Sequence, residues 1–146
     1  MKSLPDPPTS RSGQAVLEFA LILPIFLLLI LAATDFGRAY LRLHLMASAA
    51  REGARVGSLP TGTESRVRDT VDRFMSNSGL EQVSWPPSEI TVTDPDGNPR
   101  SSLSAAQQGD RIQVTVRQDF VLIGAGFIPA DQGTIPLEAS CTIRRE

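Results

Sequence analysis

Apolar and polar positions are spread very unevenly along the chain. From Phe19 to Thr34 no residue is charged, and in the twenty residues from Ala15 only Glu18 is. As a helix, twenty residues rise about 30 Å, the thickness of a bilayer's hydrocarbon core. A helix of a soluble core would show a polar face, and this run has none. The pattern predicts a membrane-spanning helix over Gly13 to Thr34. Beyond Thr34 the helical period continues: Phe36, Tyr40, Leu43, Ala47, Ala50 and Ala54 recur at spacings of three and four. Gly57, Ser58 and Pro60 mark its end. One long helix is expected from about Gln14 to Val56, half in lipid and half outside it.

A second, short helix is predicted over Thr63 to Ser76. Thr63 caps it, Glu64 stands in its first turn, Val67, Val71, Phe74 and Met75 form its apolar side, and Gly79 stops it. The period then changes. Glu89 to Thr93, Arg111 to Arg117 and Ile135 to Ile143 alternate as strands. Asp94 to Pro99 is a dense turn signal. Ile112, Val114 and Val116 share one strand face, with Gln113 and Thr115 on the other, and the last strand's alternation turns Cys141 inward. Phe120 to Pro129 is apolar and fits neither period. So few β residues make a marginal core alone. The expected fold class is therefore α+β: a long N-terminal helix, a short second helix, and a small antiparallel β module packed on the long helix. The domain reading is a leader over 1–13, the long helix over 14–58, the second helix and linker over 59–82, and a β-rich module over 83–146.

Two residues are unusual for a plain anchor. Glu18 is ionisable one turn inside the apolar run, so it either reaches water at the interface or has a partner. Pro24 removes an amide and crowds the carbonyl of Ala20, which membrane helices accommodate as a kink. The Ala-rich stretch Met46 to Ala54 presents small residues that let helices approach closely, either against the chain's own module or against other subunits.

Composition narrows the function classes. A net charge of -2 argues against a nucleic-acid partner. A single cysteine, Cys141, excludes an internal disulfide, and a single histidine, His44, leaves no metal cluster to build around it. Neither a catalytic set nor a cofactor motif is legible. Asp35-Phe36-Gly37 matches a kinase tripeptide by letters only, and Gly124-x-Gly126 lacks a third glycine and a βαβ setting. The chain reads as a non-enzyme without cofactors. An ordinary cleaved secretory signal would need a shorter apolar run and a small-x-small site directly after it. Leu31-Ala32-Ala33-Thr34-Asp35 matches that poorly.

Gly13-Gln14-Ala15-Val16-Leu17-Glu18 places a glutamate five residues after a glycine, directly before an apolar helix. This resembles the processing site of type IV prepilins and pseudopilins. The run GQAVLEFALILP, then DFGR at Asp35 to Arg38, then AAREGAR at Ala49 to Arg55, resembles the TadE-like family of the bacterial tight-adherence (Tad/Flp) pilus apparatus. Gln14 and Phe19 depart from the Glu-Tyr pattern of the major Flp pilin, which points to the TadE-like branch. The resemblance implies a pseudopilin or minor pilin, cut by a prepilin peptidase between Gly13 and Gln14 on the cytoplasmic side. It also implies that Glu18 pairs with the new amine of a neighbour's Gln14. Asp35, Gly37, Arg38, Arg51, Glu52 and Arg55 are the family-motif residues. The implied partners are the peptidase, other pilin-like subunits, Tad assembly proteins and membrane lipid. The implied location is the inner membrane, single-pass, with the N-terminus cytoplasmic and the module extracytoplasmic. The alternative is an uncut single-pass anchor presenting an extracytoplasmic binding module.

Overall fold

The computed structural model describes residues 11–86, 88–124 and 133–146. Helix α1 runs unbroken over Arg11–Ser58, through Pro24, slightly longer at both ends than its sequence pattern marks. Helix α2 spans Glu64–Asn77. Its cap is the expected one: the Thr63 hydroxyl accepts from the Arg66 amide at 3.4 Å. Gly79, at φ +73°, lets the chain turn away after α2.

Strand β1 spans Glu89–Thr93, β2 spans Arg111–Val121 and β3 spans Thr134–Arg144. They form one antiparallel sheet in the order β1-β2-β3. Val92, Ile112 and Ile143 lie in register, as do Ile90, Val114 and Cys141. These side chains share the face that meets the helices. Cys141 is thus on the core side, as alternation predicts, but β3 is an edge strand and leaves the thiol half-buried. Thr115 corrects the alternation. Its face is the outer one, yet it is buried, because it lies in the central strand between Glu89 and Ser140, next to Arg117 and its ion pairs with Glu89 and Glu138.

The core gathers Met46, Ala49, Ala50 and Ala54 of α1, Val67, Val71 and Met75 of α2, and Val92, Ile112, Val114, Val116 and Ala139 of the sheet. Burying the three α2 side chains is worth about 1.5–3 kcal/mol each. Helix α1 is the common wall, packing on α2 and on the sheet. Two glycines make the approach close. A Cβ on Gly53 would lie 2.7 Å from a Val71 methyl, and one on Gly57 would lie 3.2 Å from an Ile112 methyl. The Ala-rich stretch therefore serves the chain's own module.

The far end of the module is closed by charge. Arg100 and Asp110 form a two-pronged ion pair, and Asp110 also accepts the Gln107 amide at 2.7 Å. Arg145 donates to the carbonyls of Leu103 and Pro60 at 3.1 and 3.3 Å, tying the chain end to the α1–α2 connection. The predicted turn after β1 is held by Asp94, whose carboxylate accepts from the amides of Asp96 and Asn98.

Candidate membrane-exit site

Along α1 from Gly13 to Ile30 every described side chain is exposed, including Leu17, Leu21 and Leu29. The helix is long and apolar enough to cross a membrane, and none of its most apolar stretch is buried inside the molecule. Gly13 and Gln14 are helical, within α1. Glu18 is exposed among apolar neighbours.

The character of α1 changes at Asp35, which is only 5 % exposed. Its carboxylate accepts three hydrogen bonds: from the Ile123 amide at 3.0 Å, the Gly124 amide at 2.9 Å and the Arg38 guanidinium at 3.1 Å. Asp35 thus joins the helix, just past the apolar run, to the segment that follows β2. The Gly124 and Ile123 amides hold its carboxyl below the usual aspartate range, and Arg38 adds to this; burial acts the other way and is outweighed. Next to it, Arg38 and Arg42 both lie over the ring of buried Phe120, 5.1 and 5.4 Å from its centroid. Arg42 also reaches the Asp119 carbonyl at 3.4 Å.

The face read from the spacing in the second half of α1 is not one environment. Phe36, Tyr40 and Leu43 are exposed, Ala50 and Ala54 of the same series are buried, and Asp35, Met46, Ala49 and Gly53 are buried beside them. The inward stripe begins with an acid and continues in small residues, so a pattern led by bulky apolar side chains meets it only at Ala50 and Ala54. Phe36 stacks on Tyr40, centroids 6.3 Å apart, and Tyr40 meets His44 edge-on at 4.5 Å, forming an outward aromatic row.

The other motif residues do not converge on Asp35. Gly37 faces open space. Arg51 is exposed. Glu52 and Arg55 pair with each other on the surface through two contacts, at 2.5 and 3.0 Å. This lowers the Glu52 pKa and raises that of Arg55, a solvent-screened pair of small energetic value. Gly53, within the same run, is the member the packing needs. The pairing of Asp35 with Arg38 is legible from their spacing. The two amides and Phe120 are some ninety residues away, and the one available signal is that Asp35 is the sole acid between Glu18 and Glu52.

Among the described residues, no group of three or more His, Cys, Asp or Glu side chains is placed to hold a metal ion. None of the curated proteins and none of the solved structures compared matches the chain. The family model described as TadE-like protein matches residues 13–55, from the exposed Gly13 to the small-residue seam, and over that stretch the chain is similar to TadE-like proteins.

Proposed function

We propose that the chain is a pilin-like structural subunit of a bacterial tight-adherence pilus system, anchored by residues 15–34, cut by a prepilin peptidase after Gly13 and acting through helix packing between subunits. One observation carries this: the TadE-like match coincides with a single continuous helix whose first half is apolar and uncovered while its second half is built into a folded module. A removable signal has no need of such rigid continuity. A subunit that must pass load from a membrane-borne or filament-borne helix to a surface module does. Glycine at position 13 lets the enzyme approach the backbone at the bond to be cut. Glu18, exposed in the apolar half, suits the amine of a neighbour's Gln14 as counter-charge. The inner-membrane location, with the module extracytoplasmic, follows from the same reading. So does the choice of partners: the peptidase, other pilin-like subunits and Tad assembly proteins.

The uncut-anchor reading has one observation in its favour: Gly13 is helical, whereas proteases take extended chains. N-terminal sequencing of the membrane-bound protein decides between them. The expected mature chain begins at Gln14, and Gly13→Val leaves it uncut, because a β-branched side chain obstructs the approach. A membrane protein still beginning at Met1 in cells with active prepilin peptidase sinks the pilin-like reading. Glu18→Ala is expected to insert at least as well as wild type and to fail in pilus assembly.

A further inference from the structure

Beside Asp35 the structure has an apolar groove of about 690 Å³. Leu28, Leu31 and Phe36 of α1 form one wall, and Leu122 and Ile135, at the ends of β2 and β3, form the other. Leu28 precedes Asp35 by about two turns, roughly 10 Å along the axis. The membrane-proximal end of the β2–β3 pair therefore lies alongside the last turns of the apolar run, not above them. Its side chains match that depth: Val121, Ile123 and Ile135 are 61 %, 53 % and 44 % exposed.

The backbone there is prepared for a medium without water. The Leu122 amide donates to the Gly133 carbonyl at 3.0 Å, and the next two amides, Ile123 and Gly124, donate to Asp35. Three successive donors are thus satisfied within the protein, which hydrocarbon demands and water does not. The buried acid at this position has that use. On the same helix the Thr34 hydroxyl donates back to the Ile30 carbonyl at 2.9 Å. One turn further out, Arg38 and Arg42 cover Phe120, where the polar headgroup layer would begin.

We infer that the end of the β2–β3 pair is a second membrane contact, in which Val121, Ile123 and Ile135 enter the leaflet on the module's side and lipid acyl chains fill the groove against α1. The module then sits at a set height and tilt on the bilayer instead of swinging on a single helix. This rests on residues 15–34 spanning the membrane.

The test uses the full chain with Cys141→Ala, reconstituted in phosphatidylethanolamine/phosphatidylglycerol vesicles. Single reporters are an environment-sensitive fluorophore on Ile123→Cys, on Val121→Cys as a second position, on Leu27→Cys within the span, and on Thr142→Cys at the far end of β3. Quenching is by lipids spin-labelled near the headgroup or deep in the chain, and by aqueous iodide. The expected result at Ile123 or Val121 is blue-shifted emission, quenching by the shallow spin label and loss of iodide quenching, with Thr142 quenched by iodide alone. Lipid quenching at Leu27 with none at Ile123 and Val121 overturns the inference and leaves the span standing. Lipid quenching at none of these three positions overturns both. Protection of Ile123 from iodide without lipid quenching overturns it in favour of a neighbouring copy in the groove.

Discussion

The two halves of α1 share one backbone and differ in everything that covers it. Before Asp35 the helix carries large apolar side chains, and they are exposed. After Asp35 its inward face is Ala49, Ala50, Gly53 and Ala54, small residues fully buried against α2 and the sheet. Apolar size is therefore a poor guide to where this protein keeps its core. Large side chains suit a helix whose solvent is lipid, since they need no complementary surface. Small ones suit a helix that two other elements must approach closely, because interaxial distance is set by the side chains at the crossing. Asp35 marks the change, and its bonds to Ile123 and Gly124 join the two regimes.

The largest effect should come from separating the sheet from the second half of α1. Residues 35–146 are expected to unfold cooperatively in solution, and residues 83–146 alone are not, since Ile112, Val114 and Val116 would lose the helices that bury them. A cooperative transition in the shorter fragment would show that the helix is an accessory to the module. Next is Gly53→Leu, which drives a side chain into Val71 and should cost about 2–3 kcal/mol. Denaturation followed by Trp85, the chain's single tryptophan, measures it in the full chain in detergent. A stability equal to wild type would mean that the seam is not tightly packed.

A smaller change is expected from Asp35→Asn, which removes the charge that two amides and Arg38 share. A fall in Tm of a few degrees at neutral pH is expected. The acid limb carries a finer test. The folded-state pKa of Asp35 lies below the unfolded value of about 3.9. Its contribution is thus complete above that value and is lost as pH falls through the folded-state pKa. Asp110, lowered first by Arg100 and then by the Gln107 amide, behaves alike at the far end. Asp35→Asn should therefore flatten the loss of stability below about pH 4 without abolishing it; an unchanged acid limb would mean that the Asp35 bonds are not formed in solution. The smallest effect belongs to the apolar half. Leu27→Ala should leave the module's unfolding within about 0.5 kcal/mol of wild type. A larger shift would show that the first half of α1 has a partner inside the protein.

Much of this architecture is legible in the chain. The charge-free run, the absence of a stop after Thr34, the Thr63 cap and the strand alternations mark elements close to those observed, because each is a local, periodic property. The Ala-rich stretch is visible too, but not its partner. Phe36, Tyr40 and Leu43 mislead because apolar character alone does not say whether a residue faces a core or is left uncovered.

By itself the sequence determined the elements, their order and the placement of a membrane-compatible helix beside a β-rich module, since hydropathy and backbone preference act over a few neighbouring residues. Only the tertiary structure decided that the small-residue face of α1 belongs to its own module and that the Phe36–Tyr40–His44 row faces out. It alone decided that Asp35 serves the amides of Ile123 and Gly124. The reason is physical. A carboxylate takes hydrogen bonds from whichever donors the fold brings within about 3 Å, and donors 88 and 89 positions along the chain leave no trace in its local pattern.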